Sequence, residues 1–398
     1  MYNCIICNSS KYEKLLILPT AIFDNSLLYS TIKIICCERC GHIYNLLTNK
    51  EKEKLIDYYK YEYAKVNMSS PNKTGDIPGS TNKNSLHRYS LLYNFIKPYL
   101  KQSDSILDIG CATGGFLKYL KQKGNTKLYG IDFSNDYLNV ASQNKDLIIK
   151  NGFVENIPDF KTKFNFIIAD QIVEHLIDPN KIFTEAKKIL KKDGYLCISI
   201  PNALEYNNNY FFDFYWFLLK EHIHHFDKFH LCSLADKHGF YMIACMQETT
   251  KMTSERTTLP ILSIIFKYSK RVKYQSIENF NLKENLKKYI IRSYKGYFKK
   301  QDILYLIKFS NIDTLYIYGM SREFLFLYKN TVLKLYNLIL IDDTSYRQNF
   351  TTLNKNKIYD SSILRNIKEL IIISAVAHTK LLKRKLKKLN FKGKIISF

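Results

Sequence analysis

The chain has 398 residues, 46% of them hydrophobic and 24% charged, a balance that excludes a disordered or fibrous protein and predicts two or three folded domains. No apolar run approaches the ~18 residues that span a bilayer, and the opening Met-Tyr-Asn-Cys lacks the basic-then-apolar pattern of a secretory leader, so a cytoplasmic protein with reduced or metal-bound cysteines is expected. The formal charge of +24 suits nucleic acid, an anionic membrane or a phosphorylated substrate, although only nine of the sixty basic residues are Arg, the residue favoured for forked phosphate contacts.

The first block, residues 1–62, opens with Cys4-Ile-Ile-Cys7 and Cys37-Glu-Arg-Cys40, two pairs separated by 29 residues. Four thiolates on two tight knuckles are expected to close a tetrahedral, structural zinc site, with a set of buried thiols or one redox pair as the competing reading. Cys36 and His42 stand beside the second knuckle as spare ligands. Residues 67–85 are rich in Ser, Asn, Pro and Gly and read as a linker or mobile loop.

From about 86 to 265, short apolar runs alternate with helical patterns. Strands are expected at Ile106–Ile109, Lys127–Ile131, Leu147–Lys150, Phe164–Ala169 and Tyr195–Ile200, which predicts a parallel sheet with helices on both faces. The stretch Ile106-Leu107-Asp108-Ile109-Gly110-Cys111-Ala112-Thr113-Gly114-Gly115-Phe116 is the most informative. An apolar strand ends in an acid, and a turn of small residues then opens a helix, so that backbone can approach a ligand closely. The acid precedes the glycines, where it can take the amine of an amino-acid-like cofactor. The spacing is not the Gly-x-Gly-x-x-Gly of dinucleotide binders. A second acid, Asp132, ends the next strand at a position suited to a ribose diol.

Further along, Asn207–Leu219 is unusually aromatic, with Tyr210, Phe211, Phe212, Phe214, Tyr215, Trp216 and Phe217; it reads as a water-excluding lid, a stacking surface, or packing between domains. Residues 266–300 are Lys- and Tyr-rich and expected to be helical. Alternation restarts at Thr314–Tyr318, Leu338–Ile341, Leu370–Ser374 and Lys394–Ser397, a second and smaller α/β domain. Lys380–Lys394 holds eight basic residues and no acid, with Leu381, Leu382, Leu386 and Leu389 at helical spacing: a solvated face on a packed helix, with a nucleic-acid patch as the competing reading.

These residues resemble class I S-adenosylmethionine-dependent methyltransferases. Asp108, Gly110 and Gly114 match the family's first motif, with Ala112 in place of a usual Gly. Asp132 matches its acidic ribose position, and by the resemblance Phe133, Phe153, Val154 and Glu155 lie around the adenine. Asp170 and Gln171 fall at the fourth-strand motif beside the methyl donor, which Ile172–Pro179 continues. The order of blocks resembles the sugar C-methyltransferase family, which methylates keto-deoxysugars carried on a nucleoside diphosphate. That resemblance implies an α/β fold: a Rossmann-like class I methyltransferase core (86–265), an N-terminal zinc-binding module (1–62) and a smaller C-terminal Rossmann-like substrate-binding domain (280–398). Leu315–Ser321, Leu340–Asp343, Arg347-Gln348 and Ser254-Glu255-Arg256 resemble further family segments.

The family's Tyr-x-Glu-His-x-x-Tyr-Phe stretch reads here Leu219-Lys220-Glu221-His222-Ile223-His224-His225-Phe226, and His175 aligns with a second family histidine. Leu219 and His225 replace the two tyrosines, which brings O-methylation alongside C-methylation. An acceptor that must lose a proton needs a general base. His222 is the first candidate, Glu221 would orient it or share the work, and His175 would bind the acceptor or substitute as base; His224 and His225 stand behind them. Two other functions remain open: a ribosomal or transfer RNA methyltransferase with a four-cysteine module, and a cofactor-binding scaffold that has lost catalysis.

Overall fold

The computed structural model describes residues 3–69, 77–154, 157, 160–208, 215–251, 258–310 and 312–397. Three sheets organise them. The first is an antiparallel meander of β1 (Tyr12–Pro19), β2 (Thr31–Cys37) and β3 (Ile43–Asn45). Helix α1 (Asn49–Tyr61) starts at Thr48 with a reciprocal box, in which Thr48 accepts from the Glu51 amide and the Glu51 carboxylate accepts from the Thr48 amide. Its Leu55 and Tyr58 are buried, and α2 (Tyr63–Met68) follows almost without a break.

The expected linker at 67–85 is corrected at both ends. Its start belongs to α2. Its last three residues begin α3 (Lys83–Ile96), capped by the Asn82 side chain accepting from the Ser85 amide. The polar residues read as loop signals are thus partly a helix cap, which uses the same residue types as turns. Residues 70–76 of that stretch lie outside the described residues. Between the helices, Gly79 presses its backbone against the cofactor loop: a Cβ there would meet the Thr113 nitrogen at 2.5 Å.

The core contains β4 (Ser105–Ile109), α4 (Gly115–Gln122), β5 (Lys127–Asp132), α5 (Asn135–Ala141), β6 (Ile148–Asn151), β7 (Phe164–Asp170), α6 (Asn180–Ile189), β8 (Leu190–Pro201), β9 (His224–His225), α7 (Lys228–Lys237), β10 (Phe240–Lys251) and β11 (Thr258–Tyr268). All except β9 among its strands form one seven-stranded sheet in the order β10-β11-β8-β7-β4-β5-β6. The five expected strands are present within a few residues, but the sheet is not wholly parallel. β11 runs antiparallel to β8, and β10 antiparallel to β11. Ile261, Leu262, Ile264, Ile265 and Phe266 of β11 are almost fully buried, and a continuous apolar run of this kind reads equally as strand or buried helix. Strand order reverses between β4 and β7, which opens a crevice at their carboxyl ends.

The two-residue strand β9 leaves this sheet and pairs with β3, Ile43 opposite His225 and Tyr44 opposite His224. The first sheet is therefore completed from within the core block. The expected C-terminal half begins with α8 (Asn281–Phe309), followed by β12 (Thr314–Tyr318), α9 (Arg322–Asn330), β13 (Asn337–Ile341), α10 (Ser345–Phe350), β14 (Thr352–Leu353), β15 (Asn356–Tyr359), β16 (Ile371–Ile373), α11 (Thr379–Lys388) and β17 (Ile395–Ser397). Its sheet order is β14-β15-β13-β12-β16-β17, parallel except at β14. On the basic helix α11, Leu386 is buried and Leu381 is exposed, a packed helix with a solvated cationic face.

One apolar cluster runs from Ile32 and Ile34 of β2 through Leu286 and Tyr289 of α8 to Leu315 and Ile317 of β12. Tyr215, Phe217 and Leu218 of the aromatic row pack inside it, and the Trp216 ring lies under the Arg322 guanidinium. These residues pack between domains rather than forming a lid. Tyr210, Phe211, Phe212 and Phe214 lie outside the described residues, as do Glu155 and Ser254-Glu255-Arg256.

Candidate active site

The carboxyl ends of β4, β5 and β7 surround a cavity of about 740 Å³. Of the expected cofactor residues, Asp108, Gly110, Ala112, Asp132, Phe133, Val154, Asp170 and Gln171 line it. Gly114 does not line the cavity; it is the left-handed residue (φ +76°) at the start of α4. Gly110 (φ +75°) turns the chain out of β4, and its amide donates to the carbonyl of Ile131 at 2.8 Å. Ala112 also takes a left-handed conformation, φ +45°.

Asp132 is built into the loop. One of its oxygens accepts from the Ala112 amide and the other from the Ser134 amide, both at 2.9 Å. Asp108 is 4% exposed; burial, then the charges of Asp170 and Asp132, push its carboxyl well above the ordinary range, and Arg88 opposes them. Arg88 donates from Nη1 to Asp170 Oδ2 at 2.7 Å. The other Asp170 oxygen and the Gln171 amide nitrogen are buried without a partner among the described residues, and Gln171 holds φ +58°. Three carboxylates therefore converge on the cavity with one arginine against them. A ligand with a cationic head and a diol answers both the unbalanced charge and the open acceptors, while Phe133, Phe153 and Val154 supply an apolar wall. These residues fit an S-adenosylmethionine molecule.

His175 also lines the cavity. Its Nδ1 lies 2.9 Å from the Tyr59 hydroxyl and 3.0 Å from the Glu221 carbonyl oxygen. A carbonyl only accepts, so Nδ1 carries the proton and Nε2 keeps its lone pair. Burial lowers the pKa of His175. His222 is not among the lining residues. It lies behind His175 with ring centroids 4.8 Å apart, is held well below its ordinary pKa by burial and then by His175, His225 and Arg322, and has a buried Nδ1 without a partner among the described residues.

The sequence predicts that Glu221 orients His222 or shares its work; its carboxylate accepts from the Tyr58 hydroxyl at 3.3 Å, and its backbone carbonyl lies 3.0 Å from His175 Nδ1. The carboxyl nearest these histidines is Glu174, 2% exposed with neither oxygen hydrogen-bonded among the described residues. One oxygen is 3.7 Å from His175 Nε2, and ligand atoms of Glu174, His175 and His222 fall within 4.8 Å of one another. Burial pushes Glu174 up to about 8. Sequence reasoning passed over Glu174 within Ile172–Pro179, and also Tyr59, Tyr63 and Arg88, which line the cavity from α1, α2 and α3. The tyrosine-rich run after Leu55 was the available signal.

His224 and His225 are buried behind the pocket. His224 Nδ1 is 3.2 Å from His42 Nε2, and Tyr206 Oη is 3.4 Å from His225 Nδ1. In the first block, the Sγ atoms of Cys4, Cys7, Cys37 and Cys40 gather within 4.8 Å of one another, with Cys4–Cys40 at 3.6 Å and Cys7–Cys37 at 3.5 Å. Neither spare ligand joins them. His42 stacks on His224, and the Cys36 thiol donates to the Gly41 carbonyl, because the alternation of β2 sends it to the opposite face from Cys37.

The turn at Gly110 gives a direct test. A Cβ there would stand 2.1 Å from Ile172 Cδ1 in a left-handed backbone. Gly110→Ala is expected to lower stability by roughly 1–2 kcal/mol, read as a lower denaturant midpoint with unchanged slope.

A family profile described as a methyltransferase domain matches residues 82–244. Among curated proteins, an uncharacterized methyltransferase of Schizosaccharomyces pombe is 28% identical over 126 residues, 28% of this chain and 44% of that protein. The tRNA U34 carboxymethyltransferase of Campylobacter jejuni is 26% identical over 187 residues, 43% and 62% of the two chains. The ubiquinone biosynthesis O-methyltransferase of Actinobacillus pleuropneumoniae is 30% identical over 107 residues, 24% and 45%. The chain thus spans about half the length of the curated relatives it matches. Solved structures align as well, among them an S-adenosylmethionine dependent methyltransferase from Mesorhizobium loti at 12% identity and TM-score 0.36, covering 44% of this chain and 96% of that one. Residues 82–244 thus form a methyltransferase domain.

Proposed function

We propose that the whole chain methylates a small acceptor, a nucleotide-linked sugar or related glycan precursor, at oxygen or carbon. The observation that carries this reading is that one cavity is lined both by the Asp108–Asp132–Asp170 cradle and by His175, whose Nε2 keeps its lone pair. S-adenosylmethionine supplies an activated methyl group when bound. Asp108 would hold its ammonium, Asp132 its ribose hydroxyls, and Phe133 with Val154 would flank its adenine. The protein's own work is then alignment, worth up to ~7–11 kcal/mol in favourable cases, and removal of the acceptor's proton.

His175 would act as the base, a reading supported by its place in the cavity lining and by the lone pair left on Nε2. The acceptor's proton would pass to His175 Nε2; ligand atoms of Glu174 and His222 lie within 4.8 Å of that of His175 and would hold the ring in place. The sugar reading is supported by the retained Glu221-His222 pair and by Arg347 and Gln348, which donate to the Asp342 carboxylate at 2.9 Å and its carbonyl at 2.8 Å beside the Gly319 turn. A second reading, transfer RNA as acceptor, is favoured by the +24 charge and by the C. jejuni relative. The first block would carry one structural zinc on Cys4, Cys7, Cys37 and Cys40. Sulfur separations of 3.5–3.6 Å support this, being close to the edge of a tetrahedron with ~2.3 Å bonds.

Calorimetric titration of S-adenosylmethionine should weaken at least about tenfold in Asp132→Ala. For the parent protein, affinity should rise with pH, because burial pushes the Asp108 carboxyl well above the ordinary carboxylate range and the ionised form pairs with the ammonium. Affinity unchanged across both tests would overturn the cradle assignment.

With labelled donor, turnover is expected on nucleotide sugars and not on bulk transfer RNA. His175→Ala should lower kcat by about 10²–10⁴ while leaving donor affinity unchanged. Because burial depresses His175, the acid limb of kcat/KM should lie below pH 6.5. Labelling of RNA alone would sink the sugar reading, and donor binding without turnover on either acceptor would point to a scaffold.

Metal analysis should find one zinc per chain, lost in Cys37→Ser together with the cooperative melting of the first block. A metal-free parent with an unaltered melt would remove zinc from the account.

A further inference from the structure

Helix α8 presents two unlike faces. Leu282, Leu286, Tyr289 and Leu304 point inward and are fully buried. On the opposite side, Ile291, Tyr294, Phe298, Tyr305 and Phe309 recur at helical spacing and are 57%, 49%, 45%, 41% and 82% exposed. From Ile291 to Phe309 of this 29-residue helix the rise is about 27 Å, so this is an extended apolar stripe rather than a scatter of single side chains. Leu306, 67% exposed, widens it. So does Leu335, 63% exposed, held beside the end of α8 by the Tyr336 hydroxyl donating to the Leu304 carbonyl at 2.7 Å.

The charges around the stripe have one predominant sign. Lys288, Lys295 and Lys299 are exposed along its flank and Lys334 lies next to Leu335, against the exposed acids Glu284 and Asp302. Contiguous exposed apolar surface rimmed by polar residues marks an interaction site. An apolar stripe edged with lysines matches a lipid interface, where the rings and aliphatic groups enter the acyl boundary and the ammonium groups stay at the headgroups.

We propose that the outer face of α8 docks flat on an anionic lipid bilayer. Two other occupants fit less well. A second copy of this chain would bring the same lysines against these, under a formal charge of +24 on each molecule. A nucleic acid would gain nothing from Ile291, Leu306 and Leu335. The contact is peripheral, since no helix among the described residues is long and apolar enough to cross a membrane.

The test is co-sedimentation of the full chain with phosphatidylcholine vesicles, with and without phosphatidylglycerol, at two salt concentrations. Binding is expected to the phosphatidylglycerol vesicles, at least about tenfold weaker to phosphatidylcholine alone, and weaker in high salt. The triple variant Phe298→Ser, Leu306→Ser, Phe309→Ser should lose it, and so should the pair Lys295→Glu, Lys299→Glu, which leaves the apolar stripe intact and serves if the triple variant melts lower than the parent. Both sets lie outside the cofactor cavity, so donor affinity should not change. Absence of binding to phosphatidylglycerol vesicles would overturn the proposal, as would full binding by both variants. A parent dimer that the triple variant converts to a monomer would assign the face to a second copy instead.

Discussion

Ile223 is fixed by two backbone hydrogen bonds that the rest of the site depends on. Its amide donates to the Glu174 carbonyl at 2.8 Å, and its own carbonyl accepts from the Asn45 amide at 2.7 Å. On one side of it the chain carries Glu221 and His222, and on the other His224 and His225 continue as an edge strand on β3. The Tyr29 hydroxyl, itself an acceptor from Asn45 Nδ2, donates to the Lys220 carbonyl. Backbone bonds of this kind tolerate no slip, because moving a strand by one residue turns every side chain to the opposite face. The cysteine-bearing block is therefore part of the wall of the pocket. His230 joins the same structure: its Nε2 is 3.0 Å from the Cys40 carbonyl and its Nδ1 2.8 Å from Asp227 Oδ1.

Against that rigid wall the cavity is electrostatically unfinished. Asp108, Asp132 and Asp170 line it with one arginine, Arg88, among the described lining residues, and two buried polar atoms of Asp170 and Gln171 lack partners among the described residues. Such an arrangement raises the energy of the empty protein and is relieved by a cationic ligand. The opposite end is neutral, because burial keeps the histidines uncharged and Glu174 protonated. A charged end that binds and a neutral end that can accept a proton suit group transfer from a cationic donor, in which positioning does most of the catalysis.

The C-terminal half takes part through packing as well as through its own turn. Its helix α8 shares a core with β2 and with Tyr215 and Phe217, and Lys283 pairs with Glu13 of β1 at 2.5 Å. Ser345 at the start of α10 reaches the Ser69 carbonyl after α2. The turn at Gly319 and the Asp342–Arg347 pair thus approach the helices that also line the cofactor cavity.

What the sequence by itself determined is local. Asp108 through Phe116 specify their turn within nine consecutive positions, the two Cys-x-x-Cys knuckles their own geometry, and the β/α alternation the core sheet, because these depend on spacing between near neighbours. Tertiary structure decided what spacing cannot encode. It placed Glu174 rather than the Glu221 carboxylate beside His175 and His222, set His42 against His224 instead of the thiols, and ran β10 and β11 antiparallel. It also pressed Gly79, read as linker, onto the loop at Thr113. Each of these rests on a pairing between distant segments, where the same residue types serve turn, cap, core or site alike, and only the packing of the folded chain chooses among them.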